Sequence, residues 1–508
     1  MAAASQSEVI AFLTGFAAPG DQPSERIETH ISIVFLTGRS AFKLKKAVRL
    51  SFLDFSTLAA RKSACETELE VNRRATPGLY VGVRAVTRDD GGVLALDGAG
   101  EVVDWVVEMR RFDQDSLYDR LVSQGVLHRA DIHALAEAVC ALHRVAPPRP
   151  DQGGVKGLAW VIDTNRQAML PAVPAILDAT KVEALAETSH AALARFAPVL
   201  EARREAGLVR WCHGDLHLGN ICRFEGRPAL FDAIEFSETI ACIDVFYDLA
   251  FLLMDLERKG GRRMAAWALN HYLDLTGDFG GVEPLPLFLS ARAAIRAHVC
   301  AAMATSAEGE RLSHLINEAR SYLDAALAYL APPAPRLLAV GGLSGSGKSR
   351  MGRELAPFLG VPGAAVVRSD SLRKHLMGVA IHEKLRPEGY TAEVTERTYR
   401  QLYDTCAALL AAGHSAVADA VFAKPEQRAA IEQVAADAGT RFDGLWLETP
   451  PELAALRIAK RKANVSDATP EVLEHQMTYD LGAITWTRVD SAPPKDQTLA
   501  AGRAALGV

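Results

Sequence analysis

The chain has 508 residues, 49% of them apolar and 23% charged, and 56 Lys and Arg stand against 62 Asp and Glu for a formal charge of −6. That length exceeds one ordinary hydrophobic core, so about two to four compact units are expected. The negative balance excludes bulk electrostatic binding to nucleic acid or an anionic membrane and leaves only local basic clusters to hold phosphate.

At the N-terminus, MAAASQSEVIAFLTG lacks a basic segment and carries Glu8 before its apolar part, the wrong pattern for a secretory signal. No charge-free apolar run reaches about 18 residues, so no membrane span is expected. Seven cysteines, an odd number with no CxxC spacing, argue against a disulfide framework or zinc site and fit a reducing cytoplasm.

Residues 30–110 read as strand-rich. HISIVFLTG and SAFKLKKAV flank a tight turn, a hairpin pattern. LYVGVRAVT, GVLALD and VVDWVVEM are separated by turn-forming RDDGG and GAGE. Between the two groups, TLAARKSACETELEVNRRA has the character of a helix. From about 115 the pattern turns helical: in ADIHALAEAVCALHRV, Ile132, Leu135, Val139 and Leu142 fall on one face. A small sheet with one helix therefore precedes a larger helical lobe.

The stretch CHGDLHLGN, residues 212–220, holds His213, Asp215 and Asn220 in the spacing H-x-D-x-x-x-x-N, and Asp232 follows in ALFDAIEF. This is the spacing of a kinase catalytic loop followed by a metal-binding aspartate. One carboxylate orients or deprotonates the attacking hydroxyl. An amide oxygen and a second carboxylate supply the hard oxygen ligands magnesium requires. His213 and His217 lack a third partner for a metal, so hydrogen bonds within the loop are expected of them.

These residues resemble the catalytic loop of the aminoglycoside and choline phosphotransferase family, whose fold is protein-kinase-like. The resemblance spans most of residues 30–300. It implies Asp215 as catalytic base, with Asn220 and Asp232 as magnesium ligands. It also implies a phosphate-binding lysine on the strand SAFKLKKAV. Alternation puts Lys43 and Lys45 on the same face, so either qualifies, and Lys43 is preferred by its distance from the preceding turn. Glu68 resembles the helix glutamate that pairs with that lysine, and VVEMRRF resembles the hinge that meets adenine. Departures are the missing GxGxxG and the AIEF after Asp232. Glu235, Asp244 and Asp248 are extra carboxylates that are candidates to buttress the loop, with Glu235 a candidate to reach metal.

The Pro-rich APPAP at 331–335 stops a helix and favours an extended linker. It separates a domain at 1–332 from one at 336–508. After it, the buried-strand pattern RLLAVGG runs into GLSGSGKS, a full GxxxxGK[ST] from Gly342 to Ser349, and then a helix. Gly342, Ser344, Gly345, Ser346 and Gly347 let backbone N–H groups turn inward on phosphates. Lys348 reaches the β and γ phosphates, and Ser349 reaches magnesium.

The next strand pattern, AAVVRSD, ends at Asp370, with Arg373 three residues on. The spacing resembles P-loop kinases of the polynucleotide-kinase, zeta-toxin and gluconate-kinase type, which implies Asp370 as base and Arg373 as a substrate contact. A helix-capping role for Asp370 is the alternative. HSAVADAVF brings Asp419 to a position resembling a second magnesium carboxylate. Arg457 and Arg461, four apart and so on one helical face, resemble lid arginines over the transferring phosphate.

The expected fold is thus an α+β protein-kinase-like bilobal domain followed by an α/β P-loop kinase domain with a parallel sheet. Together they resemble the bifunctional aminoglycoside phosphotransferase and ATP-binding family. The resemblance implies ATP or GTP with Mg2+, and a small-molecule hydroxyl as acceptor. The alternative is one active kinase whose companion domain senses nucleotide or acts as a toxin-like binding module.

Overall fold

The computed structural model describes residues 6–16, 25–50, 53–460 and 465–508. The chain's contacts gather into two compact units, Met1–Leu158 with Leu200–Leu252, and Ala159–Val199 with Leu253–Val508.

In the first unit, the described residues form an antiparallel sheet of β1 (Glu25–Glu28), β2 (Ser32–Leu36), β3 (Ser40–Lys45), β4 (Tyr80–Arg88), β5 (Leu94–Leu96) and β6 (Glu101–Arg110). Its order is β1-β2-β3-β6-β4-β5. Strand alternation divides β3 into two faces. Phe42 and Leu44 join Ile33, Phe35, Val86 and Val106 in a core closed by Val9 and Leu13 of the Gln6–Gly15 helix. Ala41, Lys43 and Lys45 face the other way, toward the Leu58–Ala75 helix, whose Cys65 packs with Ala41, Val107 and Met109. Thr57 caps that helix, its side chain accepting from Ala60 N.

A hairpin of β7 (Ile221–Phe224) and β8 (Arg227–Leu230) then places the chemistry. Its two turn residues, Glu225 and Gly226, have φ of 49° and 77°, the pair of positive values that a two-residue hairpin turn of matching twist requires. The register Ile221↔Leu230 returns the chain so that Phe231 N donates to Asn220 O at 3.0 Å. Asn220 and Asp232, twelve residues apart, thereby become neighbours. The Arg129–Val145 helix buries Ile132, Leu135, Val139 and Leu142, the face its periodicity indicates.

In the second unit a parallel sheet holds β9 (Arg336–Gly341), β10 (Ala365–Arg368), β11 (Ala416–Asp419), β12 (Arg441–Glu448) and β13 (Thr487–Asp490). Their order is β10-β11-β9-β12-β13, and β9 is central. Its Leu338 and Val340 meet Val366, Val417, Leu445 and Leu447 in the core. Strand β10 ends two residues earlier than its sequence pattern indicates, at Arg368. Asp370 lies inside the first turn of the Ser369–Leu376 helix, and Arg368 occupies the N-cap position. Asp370 is therefore not the cap of that helix.

The helices Arg262–Thr276, Leu285–Ala304 and Gly309–Tyr329 belong to this same unit, although they precede the Pro-rich 331–335 segment. By length and composition, Leu285–Ala304 is apolar enough to cross a membrane, but it is largely buried within the protein. The Arg262–Thr276 helix covers the exposed edge of β10. Asn270 Oδ1 accepts from Val366 N at 2.6 Å and Asn270 Nδ2 donates to Ala364 O at 3.1 Å, so one buried amide completes an edge-strand ladder. Asn270→Ala orphans both backbone groups. It should lower the full chain's stability by about 2 kcal/mol, read as an earlier transition in chemical or thermal unfolding.

Candidate active sites

The first site is a cavity of about 380 Å³ whose walls include Lys43, Glu68, Tyr80, Asp215, Asp232 and Glu235. Lys43 Nζ is 2.9 Å from Glu68 Oε1 and is also paired with Asp232 Oδ1. Lys45, on the same face of β3, is fully buried, pairs with the other oxygen of Glu68 and with Glu235, and does not line the cavity. The two lysines therefore divide one glutamate between them, and only Lys43 is open to a ligand. Met109, Arg110, Arg111 and Phe112, the segment resembling a hinge, also line the cavity.

Asp232 adopts φ +62°, a left-handed conformation that costs a non-glycine residue about 1 kcal/mol or more. Two hydrogen bonds hold it there. Asp232 N donates to Tyr80 Oη at 3.0 Å, and Ala233 N donates to Asn72 Oδ1 at 3.0 Å. The turn that results leaves the Asp232 carboxylate half-exposed to the cavity.

The 212–220 segment hangs from Asp248. Its two carboxylate oxygens accept from His213 N at 3.1 Å and Gly214 N at 2.9 Å, and His143 Nε2 lies 3.1 Å from Oδ2. Asp248 thus buttresses the loop, while Asp244 is held by Arg203 at 2.7 and 2.9 Å. Burial lowers the His213 pKa; Nδ1 accepts from Asp215 N at 3.4 Å, so Nε2–H donates to Phe231 O at 2.9 Å. His217 Nδ1 accepts from Gly219 N at 3.1 Å. Both histidines therefore serve hydrogen bonds within the loop. Asn220 Nδ2 donates to Asp215 O at 3.0 Å and Asp215 Oδ2 at 2.9 Å. Its Oδ1 has no hydrogen-bond partner among the described residues. An amide oxygen and a carboxylate beside one cavity make a donor set suited to magnesium.

Electrostatics reinforce the arrangement. Burial works to lower the Lys43 ammonium, but Asp232, Glu68 and Glu235 outweigh it and hold the pKa well above the usual lysine value. Enclosure raises the Asp232 carboxyl, and the two lysines outweigh that and hold it below the usual carboxylate value. Burial raises Glu235. The result is a fixed cation facing the cavity beside ionised Asp232.

The second site is the loop between β9 and the Lys348–Leu355 helix. Gly342 has φ +136°, and a Cβ there would meet Leu447 O at 2.6 Å. Gly345 has φ +84°, and its Cβ would meet Ala454 O at 2.6 Å. Both positions demand glycine by conformation and by space. Gly347 precedes the helix at its N-cap. Lys348 Nζ donates to Leu343 O at 3.0 Å, and Ser344 N donates to Gln476 Oε1 at 2.8 Å. Ser346 Oγ is buried without a hydrogen-bond partner, which suits a ligand-binding loop. Beside it opens a cavity of about 240 Å³ walled by Leu343, Ser344, Ser346, Ala454, Leu473 and Met477.

Several residues singled out by the sequence take other partners. Asp419 Oδ2 lies 3.2 Å from Arg368 Nε, and Arg368 Nη2 lies 3.3 Å from Ser349 Oγ. Arg373 donates to Gly389 O at 2.8 Å and Thr395 Oγ1 at 3.1 Å and sits over the Tyr390 ring, so it holds the 387–395 segment. Arg457 donates to Ser491 O at 2.6 Å and Ser491 Oγ at 3.2 Å and does not wall the cavity. Arg461 lies outside the described residues. The Asp370 carboxylate accepts no hydrogen bond among them. Sequence reading passed over Tyr80, Asn72, Arg368, Asp274 and Gln476. Of these only Arg368 leaves a local mark, as a charge ending an otherwise apolar buried strand.

Residues 98–285 match the phosphotransferase enzyme family and residues 337–479 match an AAA domain. The chain therefore carries two kinase-type domains in series, a phosphotransferase-family domain and an AAA-type P-loop domain. Uncharacterised proteins of Mycobacterium tuberculosis and Mycobacterium bovis are 27% identical over 479 residues, 93% of this chain and 93% of each relative. Among solved structures, a choline/ethanolamine kinase family protein from Mesorhizobium loti is 14% identical. It covers 64% of this chain and 98% of its own, with TM-score 0.38. A gluconokinase from Sinorhizobium meliloti is 21% identical and covers 34% of this chain and 92% of its own, with TM-score 0.26.

Two substitutions test the geometry. Gly345→Ala drives a methyl into Ala454 O and should reduce nucleotide binding at the loop by about tenfold or more, measured by titration calorimetry. Asp248→Ala removes the carboxylate that accepts from the His213 and Gly214 N–H groups and should destabilise the first unit by about 3 kcal/mol, seen as faster amide exchange across 212–220.

Proposed function

We propose that the chain is an ATP-dependent phosphotransferase with two sites, each moving the γ-phosphate of ATP or GTP to the hydroxyl of a small molecule. The observation that carries this reading is Lys43 Nζ held between Glu68 and Asp232 in a cavity that also presents Asp215. In that arrangement the ammonium draws the triphosphate in, Glu68 keeps it aimed, and Asp215 accepts the proton of the incoming hydroxyl. Magnesium, for which Asn220 and Asp232 in the first domain and Ser349 and Asp419 in the second are suited, would neutralise charge on the phosphate oxygens.

In the second domain, loop N–H groups and Lys348 cradle the phosphates, and Asp370 faces the acceptor hydroxyl. Arg373 and Arg457 act through the segments they anchor, and Arg461 keeps the lid role its spacing implies. The hold of Arg368 on Asp419 and Ser349 favours a second reading, in which this domain senses nucleotide and only the first turns over.

A phosphate-transfer screen across sugars, aminoglycosides, amino alcohols and nucleosides tests both readings. Asp215→Ala and Asp370→Ala should each remove one set of products, by about 100-fold or more. Products lost only with Asp215→Ala, with ATP still bound by the Asp370→Ala protein, would favour the sensing reading. Full turnover by both variants on every acceptor would remove both carboxylates from catalysis.

A further inference from the structure

Outside the first site, the described residues include a buried charged cluster around Asp274. This residue sits near the end of the Arg262–Thr276 helix, within the stretch matching the phosphotransferase family. Among the described residues, its partners outside its own helix belong to the P-loop domain. Asp274 Oδ2 lies 2.5 Å from Arg353 Nη2 and 3.3 Å from Arg368 Nη1. Oδ1 accepts from Ser371 Oγ, and the Asp274 carbonyl oxygen lies 3.0 Å from His375 Nε2. Asp274 and Arg368 are both at least 97% buried.

Arg368 is the centre of this cluster. Its guanidinium meets Asp419 on one side, Asp274 on another and the Ser349 hydroxyl through Nη2. The two oxygen-bearing residues assigned to magnesium in the P-loop domain thus both contact one buried cation. A guanidinium and a magnesium ion compete for such oxygens, because each needs the same negative charge and lone pairs. A buried arginine deprived of one carboxylate is stable only if another remains beside it. Asp274 is that other carboxylate.

We propose that Asp274 is a positioning residue of the P-loop site, holding Arg368 so that Asp419 and Ser349 can exchange the guanidinium for magnesium. The inference rests on the phosphate-binding reading of the 342–349 loop. It makes metal loading in the second domain depend on a helix encoded before the Pro-rich segment. Arg353, which also pairs with Asp274, sets how much of that carboxylate is available to Arg368.

The test measures binding of a non-hydrolysable ATP analogue to the full-length protein as a function of Mg2+ concentration. Only binding that Lys348→Ala removes is counted, which isolates the P-loop site. Asp274→Asn should raise the Mg2+ midpoint by ~fivefold or more, since among the described residues Asp419 is then the one carboxylate at ion-pair distance from Arg368, with Asp370 acting only at longer range. Arg368→Met should leave the midpoint at or below that of the unaltered protein. The double variant should behave as Arg368→Met alone, a non-additivity that a general loss of packing does not produce.

An unchanged midpoint in folded Asp274→Asn protein overturns the proposal, as does an equal rise when Asp274→Asn is placed on Arg368→Met. A raised midpoint in Arg368→Met overturns it too, and that arm decides the matter if Asp274→Asn does not fold. If the unaltered protein shows no binding sensitive to Lys348→Ala, the phosphate-binding reading itself fails and the inference falls with it.

Discussion

A buried cation held among carboxylates is the constraint on which both sites depend. In the first domain Lys43 cannot leave the cavity wall, because Glu68 behind it is itself fully buried and tied through its second oxygen to Lys45. An unpaired ammonium at that depth would be costly, so the pairing ties β3 to the Leu58–Ala75 helix beside the apolar contacts of Ala41 and Cys65. The same pairing sets Asp232 in place at the opposite wall. Strand, helix and the segment that follows the β7–β8 hairpin are thus joined at one ammonium group.

The P-loop domain repeats this logic with a guanidinium. Arg368 holds the ends of β10 and β11 together through Asp419 and reaches the first turn of the Lys348–Leu355 helix through Ser349. Asp274 balances it from the Arg262–Thr276 helix. Burial raises the Asp274 carboxyl, but Arg368 and Arg353 outweigh it and leave it ionised far below the usual carboxylate range. Charge pairing therefore joins that helix to the parallel-sheet domain beside the apolar packing of Leu269, Tyr272 and Leu273. The helix belongs to the unit that includes Leu253–Val508, although the Pro-rich break in the sequence lies later, at 331–335.

Strain is placed where chemistry is expected and is supported locally. Asp232 carries the unfavourable left-handed backbone, and Tyr80 and Asn72, from two different elements, supply its hydrogen bonds. Gly342 and Gly345 carry comparable conformations at lower cost because they have no side chain. The two loops reach unusual geometry by different means. One uses tertiary hydrogen bonds around Asp232, and the other removes Cβ atoms.

What the sequence determined by itself is whatever depends on short spacing. The alternation of β3 places Lys43 and Lys45 on one face, and the glycines of 342–347 specify a loop. The H-x-D-x-x-x-x-N stretch followed by Asp232 specifies a hairpin that brings Asn220 near Asp232, because twelve residues suffice for one two-residue turn. These features rest on local sterics and hydrogen bonding, so neighbouring residues encode them. Tertiary structure alone decided which lysine faces the cavity, since Glu68 and Glu235 compete for Lys45 from other elements. It also decided the end of β10, the partners of Arg373 and Arg457, and the meeting of Asp274 with Arg368 across 94 positions. Such pairings depend on which buried charges find one another once the cores close, and no spacing along the chain encodes that.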